Sequence, residues 1–466
     1  MEGCVKSFLK GRGYDVNEKA LEYISVCDSW YSNRDIKAFH NRKTVQGEAY
    51  TLRKMNFAKR ACSDDANLCE VLEINAGTGE QNEAVNEVLN AGEFQTQYRK
   101  QLEKTSADGT VACYVRLDNA VVYEDGKAAG GQIKLNYVEA DCFIPLTVEN
   151  DIVVEAAFSG TNLRSGRKQT TLVLFVKNES GLYVGETYIF DANGNELKDQ
   201  EIKVTLGDVK PFAVMRNAEV NNLDGMEGYG LPKLWNAIPI LEGLDLCYNI
   251  LFGDLDKGDK LLLVNEMLCK FDTNGNPITP CEQARKIFVM LGQKLPGKED
   301  QRLVQEYNPE IRVESVTKTF ELLLSLLSMS FGYGTKKYSF ENGQITTATE
   351  YIGERQDQMQ ELNRQRQEAV RYIQDICRAV MWFSNTFHGT GYDLDAEILV
   401  DFDDSYIVDK EAELERKRND ALSFDIPQLT IWYLMDAYSL SEEEAAALVA
   451  VQEEAREQDT DGEGED

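Results

Sequence analysis

Histidine is nearly missing from this chain: His40 and His388 are the two in 466 residues, and they stand in unrelated contexts. Imidazole chemistry needs a partner that orients the ring. A Ser-His-Asp triad or a zinc site therefore lacks its parts, and both histidines read as structural or surface residues. No G-x-x-x-x-G-K-[ST] stretch occurs, which removes a P-loop ATPase. Gly332-Tyr333-Gly334 is too short to cradle a phosphate. Long apolar runs are missing too. The longest, Leu322–Leu324 through Leu326–Leu327, is broken by serine and is far short of the ~20 residues that span a bilayer. No charged-apolar-small leader precedes residue 30, so the expectation is a soluble protein that is not secreted by that route and has no membrane partner. CxxC pairs are absent although ten cysteines are present, at 4, 27, 62, 69, 113, 142, 247, 269, 281 and 377. A chain this large needs no staples, so they are expected to be reduced and mostly buried.

Positive charge is also scarce, with 49 Lys and Arg against 80 Asp and Glu and a net charge of −31. Such a surface repels phosphate, which argues against a sequence-specific DNA reader. Acidity also keeps a protein soluble, and that reading stays open. The length exceeds the roughly 250–300 residues at which single cores stop growing, so more than one subdomain is expected.

Hydrophobic periodicity divides the chain into an α+β pattern. Ala20–Asp28 and Met55–Leu72 have helical spacing, with Asp15 to Asn17 offering a cap, and a further helical piece covers about Gln81–Lys104 before the Asp108-Gly109 turn. From Thr110 to Phe212 the period becomes two, in Val111–Val115, Thr171–Val176, Tyr183–Phe190 and Ile202–Leu206. Helix returns from Leu231 to about Asp256. A strand at Lys260–Val264, a turn at Asp272–Pro277, a short helix at Pro280–Leu291 and the run Arg302–Val304 then form a small α/β insertion before the Val313 helix. Glu397–Phe402 reads as a strand, and Asp409–Asn419 and Ser441–Glu457 as helices, the last opened by a Ser441/Glu444 capping box. Glu457 to Asp466 has no apolar content and is expected to be disordered.

The most informative stretch follows the Val313 helix. Val313, Val316, Phe320, Leu323, Leu324 and Leu327 mark one apolar face, and Gly332 and Gly334 stop it. Asn342-Gly343 signals a tight hairpin turn. Thr347 and Glu350 form a capping box at the start of a helix running to about Phe383, with Ile352, Met359, Leu362, Val370, Ile373, Cys377 and Val380 on one side.

This passage, Gly332-Tyr333-Gly334, Tyr338-Ser339-Phe340 and Thr347-Ala348-Thr349-Glu350-Tyr351, resembles the portal proteins of tailed bacteriophages of Gram-positive hosts, with Tyr351 where valine is usual. The resemblance recurs in order along nearly the whole chain. It includes Trp30-Tyr31-Ser32, Arg53–Cys62 with Asn67-Leu68, Phe143–Leu146, Pro211-Phe212 with Asn221-Asn222, Leu244–Tyr248 and Val400–Asp409. Two stretches depart from the pattern: Met226–Pro232 replaces a Gly-Ile-Ser-x-aliphatic motif, and Ser423–Pro427 replaces a Gly-aliphatic-aliphatic-Ser turn.

The resemblance implies a wing at 1–230, a stem helix at 231–257, a clip at 258–308 and a second stem helix at 309–331. A tunnel loop at 332–349, a long helix and wing strand at 350–408, crown helices at 409–456 and the acidic tail at 457–466 would follow. It implies a non-enzymatic homo-oligomer, a dodecameric ring at one capsid vertex of the virion, assembled in the host cytoplasm. Double-stranded DNA would pass through without sequence specificity. The terminase large subunit and then a head-tail connector would dock, and the major capsid and scaffolding proteins would be neighbours; no cofactor or metal is implied. An acidic lumen would act as a low-friction sleeve for DNA. Site residues carried over are Lys336, Lys337 and Tyr338 in the DNA-channel loop, Phe320, Leu324 and Leu327 at the stem interface, and the family-motif residues Thr347, Thr349, Glu350, Asp403 and Asp404.

Other readings were weighed on the same residues. Asp401, Asp403 and Asp404 could hold magnesium in a metal-dependent nuclease or hydrolase, but no lysine or histidine companion lies nearby in sequence, and the alternation around Phe402 fits a half-buried strand. Another acidic capsid or tail protein is the remaining alternative. Asp191–Asn195 and Asp272–Asn276 look like calcium loops but lack the glycine at position six, and read as turns. Arg164, Arg167 and Lys168 read as a solvated loop, and Gln360, Arg364 and Glu368 as a solvated helix face or a subunit contact.

Overall fold

The structure, a computed structural model, describes residues 3–450 except 45–46, 78, 123–127, 165, 199–200, 258–260, 266–269, 272, 275–276, 279–287, 292–303, 308–311, 336, 339–347, 404–409, 425, 439 and 441–444. Helix and sheet are mixed, as an α+β chain requires. Two compact units are present, residues 1–70 with 74–400, and residues 71–73 with 401–466.

The first unit opens with α1 (Gly3–Gly11), α2 (Glu18–Tyr31), the single turn α3 (Lys37–His40), the hairpin β1 (Asn41–Lys43) and β2 (Ala49–Thr51), and α4 (Phe57–Ala66). Asn17 caps α2 by accepting from the Ala20 amide, as its position predicts. The helix expected to reach Leu72 ends earlier, at Ala66, and passes through a 3-10 turn at Asn67–Cys69 into β3 (Val71–Ala76). There Val71, Ile74 and Ala76 are buried while Leu72 is exposed. The piece expected as one helix from Gln81 is two, α5 (Glu80–Ala91) and α6 (Phe94–Asp108), broken where Glu93 takes a left-handed φ of 51°.

Gly109 ends α6 at φ 82°, against the chain entering the next helix; a Cβ there would meet the Gly230 carbonyl oxygen at 2.3 Å. The preceding Asp108 is 2 % exposed and faces Lys104, Nζ to Oδ2 3.4 Å, while Lys104 also holds Asp28 and Glu139. Burial pushes the Asp108 carboxyl up to about 7, against the opposing pull of Lys104. A folded pKa above the unfolded one means that the contribution is full below about pH 4 and is lost as pH rises through about 7. Between pH 5 and pH 8 Asp108 should cost on the order of 2–3 kcal/mol of stability. Asp108→Asn should flatten that slope in denaturant titrations at the two pH values; an unchanged slope would rule out the group as its source.

The β-rich block consists of β4 (Thr110–Asp118), β5 (Val121–Val122), β6 (Ala128–Ala129), β7 (Gln132–Glu139), β8 (Phe143–Glu149), β9 (Ile152–Arg164), β10 (Arg167–Lys177), β11 (Tyr183–Phe190), β12 (Ile202–Thr205) and β13 (Phe212–Arg216). A five-stranded antiparallel sheet has the order β12-β11-β10-β9-β8, and a three-stranded sheet the order β13-β4-β7. Period-two alternation explains the layering. Leu172 and Leu174 point to one face of β10, where they pack with Val5 and Leu9 of α1. Phe175 on the other face joins Phe158, Phe212 and Tyr114 in an aromatic layer linking the two sheets, with Phe158–Phe212 centroids 5.6 Å apart and Tyr114–Phe158 4.9 Å. Asp191 is a turn residue as expected, its Oδ1 accepting from the amides of Asn193 and Asn195.

A helix pair brackets the insertion: α7 (Lys233–Lys257) and α8 (Val313–Ser330). Arg312, just before α8, bonds Asp254 near the end of α7 at 2.8 Å, while Gly243, further back on α7, packs on Leu323, so the helices run antiparallel. Between them lie β14 (Leu261–Asn265), the hairpin β15 (Lys270–Phe271) with β16 (Pro277–Ile278), β17 (Phe288–Leu291) and β18 (Val304–Tyr307). β14 is central, parallel to β17 and antiparallel to β18. The helix expected up to Leu291 is corrected at that end. Phe288–Leu291 is a short apolar run whose period cannot distinguish helix from strand, and pairing with β14 makes it a strand. The 36-residue α9 (Ala348–Phe383) follows, then a π-helical turn at Ser384–His388 and β19 (Ile398–Phe402). Leu362, Ile373, Cys377 and Val380 form the buried face of α9, as its spacing predicts.

The second unit contains α10 (Lys410–Phe424) and α11 (Pro427–Tyr438), packed as a hairpin in which Lys417 Nζ meets Asp436 at 2.5 Å; residues 445–450 are also helical. Ala421, Ala445 and Val449 are buried there, but α11 contains no buried residue and leaves Trp432 and Tyr438 exposed. The acidic tail and the Asn342-Gly343 turn lie outside the described residues.

Candidate functional site

Four segments distant in sequence converge where the chain leaves α8. Lys233, the first residue of α7, is buried, although a cation is disfavoured at a helix N-terminus. Two carboxylates offset that placement: Asp65 at the end of α4, 3.0 Å from Lys233 Nζ, and Glu361 on α9, 3.1 Å away. Burial works to lower the Lys233 pKa, but the charges of Asp65 and Glu361 prevail and hold it above the ordinary lysine value. Gly332 is fixed by the same geometry, since it has φ 76° and a Cβ there would lie 3.1 Å from Glu361 Cγ.

The segment after Gly332 is tied to Asp65 and to its neighbour Asp64. Tyr333 donates to Asp65 Oδ1 at 3.2 Å, and Tyr338 donates to Asp64 Oδ2 at 3.1 Å, an oxygen that also accepts from Arg60 Nε at 2.9 Å. Burial, then the neighbouring carboxylates, push both phenols up, so they remain hydrogen-bond donors at neutral pH. Lys337 is exposed and its Nζ sits 4.9 Å from the Tyr333 ring centroid. The cluster is a clamp that holds Tyr333 and Tyr338 against the end of α4.

Several of the stretches noted in sequence order, Trp30–Ser32, Arg53–Cys62, Leu244–Tyr248 and Gly332–Gly334, meet in one helical core. Trp30, Ala58, Ala61, Cys62, Leu241, Leu244, Leu324, Leu327, Phe331 and Tyr333 are buried together. His40 lies inside with a structural role: its Nδ1 accepts from the Ile36 amide at 3.0 Å, and its Nε2 lies 3.1 Å from Asp245 Oδ2. The other Asp245 oxygen accepts from the Met55 amide at 2.9 Å, so the Leu244–Tyr248 and Arg53–Cys62 stretches are joined. His388 contacts the Gly131 carbonyl at 3.0 Å on the surface.

Leu324 and Leu327 require a correction. They are 1 % and 0 % exposed within the single chain, packed against α7, and have no surface left for a neighbouring subunit. Phe320 is half-buried, its ring 6.0 Å from that of Phe57. From Leu322 onward the exposed residues of α8 are Leu322, Leu326 and Met329, an apolar stripe at spacings of four and three. The apolar face that the spacing marks on this helix is covered by the chain itself.

Thr349 and Glu350 lie in the first turn of α9, while Thr347, Lys336 and Asp404 lie outside the described residues. Asp401 is exposed on β19 beside buried Phe402, and Asp403 follows the strand. Among the described residues no three His, Cys, Asp or Glu side chains are placed to hold a metal ion. Arg164 and Arg167 are directly opposite at the end of the β9–β10 hairpin. Among the described residues eight cysteines are free thiols, six of them buried, and burial pushes those of Cys69 and Cys377 up to about 12. No described helix is long and apolar enough to cross a membrane. Nothing in the sequence marks Lys233, Asp65 and Glu361 as a cluster, because a lysine after Leu231-Pro232 gives no sign that it will be buried.

No family model matches the chain, and no curated protein matches it. Among solved structures, it is similar to a chain of the neck of a native gene transfer agent particle computed with C12 symmetry. The TM-score is 0.40 at 14 % identity, covering 84 % of this chain and 89 % of that one. A chain of the virion of a native gene transfer agent particle gives 0.40 at 13 % identity, with the same coverages. At this TM-score the similarity does not define a shared fold.

Proposed function

We propose that this chain is the subunit of a phage portal, a ring-shaped channel at one capsid vertex through which double-stranded DNA is packaged and ejected. The terminase would dock first and head-tail connector proteins afterwards. The observation that carries this reading is the antiparallel α7–α8 pair, which brackets a small β module and exposes Leu322, Leu326 and Met329, with Ile250 and Leu255 of α7 also open. An uncovered apolar stripe on a paired helix needs a partner. A closed ring of identical subunits supplies one, each copy using two different faces. The ordered resemblance of the sequence to portal proteins agrees with this arrangement. Mass photometry and negative-stain imaging of the purified protein should give closed rings without metal or nucleotide; a monodisperse monomer at micromolar concentration would count against the reading.

In this reading the clamp of Lys233, Asp65, Glu361, Tyr333 and Tyr338 holds the base of a channel loop, and Lys336 and Lys337 touch passing phosphates. Two charges neutralise too few phosphates to arrest a duplex. Replacing both lysines by alanine should leave ring assembly intact and change the packaging rate or DNA retention. Unchanged packaging would remove the loop from the channel.

A further inference from the structure

The β9–β10 hairpin differs in charge from the rest of the chain. Between Glu155 and Lys177 there is no acidic residue, whereas Arg164, Arg167 and Lys168 lie at its end, in a chain of net charge −31. The neighbouring strands stop short of that end: β8 pairs with β9 only as far as Phe158, and β11 with β10 only from Thr170. Residues 161–164 and 166–169 therefore lie beyond the neighbouring strands as a two-stranded arm, with Leu163 79 % exposed. Arg164 stands directly opposite Arg167.

An anionic receptor of suitable size exists elsewhere on the same unit. A cavity of about 460 Å³ follows β13, lined by Asp151, Glu219, Asp224, Glu227 and Glu368 with one cation, Arg216. Asp151 engages Arg216 at 2.7 Å and Glu368 engages Arg371 at 3.0 Å, which leaves the exposed Asp224 and Glu227 as surplus charge. Asn217, 5 % exposed in the cavity wall, has an Oδ1 that accepts no hydrogen bond. Carboxylates beside a neutral acceptor suit a guanidinium, whose planar fork donates to several oxygens at once.

We propose that the arginine-bearing end of the β9–β10 hairpin of one copy docks into the acidic cavity after β13 of the next copy. This rests on the ring reading and specifies one of its heterologous contacts. Copies carrying −31 each repel one another, and a local pairing of opposite charge sets their orientation as they meet.

A charge-swap experiment tests this contact. Arg164→Glu with Arg167→Glu, and separately Asp224→Lys with Glu227→Lys, should each raise the concentration of half-assembly by about tenfold or more. The variant combining all four changes should recover to within about threefold of the unmodified protein. Thermal melting checks that each variant is folded, and if a reversal unfolds, Arg164→Gln with Arg167→Gln carries the same test. Wild-type rings that persist unchanged under either reversal, or two losses with no recovery on combination, overturn the contact and leave the ring reading standing. Absence of rings from the wild type overturns both.

Discussion

Lys233→Met should lower the unfolding free energy by about 3–5 kcal/mol, the cost of leaving a buried charge without its counter-ion. Asp65 and Glu361 both lie within hydrogen-bond distance of Lys233 Nζ, and their side chains are only 13 % and 17 % exposed. The loss should be largely recovered by adding Asp65→Asn and Glu361→Gln, because a buried ion cluster and a neutral replacement of similar volume often have similar stability. Equilibrium denaturation of the four proteins separates the two effects. A near-neutral Lys233→Met would mean that the clamp does not hold the base of the loop. The Tyr333 hydroxyl donates to the Asp65 oxygen that Lys233 also binds, and Tyr338 to the adjacent Asp64, so release of Lys233 should also increase amide exchange at Gly332–Thr335 and Lys337–Tyr338.

The long helices were legible because their signals are local. The period of α8 and α9, the Gly332 stop and the Asn17 cap are each set within one or two turns of chain, and all appear where expected. The insertion between α7 and α8 was legible as a change of period, but its Phe288–Leu291 strand was not, since only pairing with β14 distinguishes it from a helix. The 13-residue β9 and the apolar α11 were missed for related reasons. β9 contains Ala, Ser, Gly and Asn in its middle, and α11 begins at Pro427, a favoured first position of a helix that had been read as part of a turn. The site was the least legible part. Lys233, Asp65 and Glu361 meet through packing of three helices, and no short-range pattern predicts that a lysine will be buried between two carboxylates. Leu324 and Leu327 illustrate a further limit: periodicity identifies an apolar face but does not say whether the chain itself or a neighbouring copy covers it.

That ambiguity leads to the last expected result. Leu326 and Leu324 are two residues apart on α8 and should respond to substitution in opposite ways. Leu324→Ala removes a side chain that is 1 % exposed in the helical core and should cost about 2–5 kcal/mol of subunit stability, depending on how far the site relaxes. Leu326 is 40 % exposed, on the stripe with Leu322 and Met329, so Leu326→Asp should leave the melting temperature of the isolated subunit nearly unchanged. If the stripe is a ring contact, the same change buries an unpaired carboxylate between copies, which costs several kcal/mol per interface and recurs at every interface of a closed ring. Rings should then give way to folded monomers in mass photometry at concentrations where the wild type is fully assembled. Intact rings with Leu326→Asp would remove α8 from the interface and leave the β-arm contact to carry assembly.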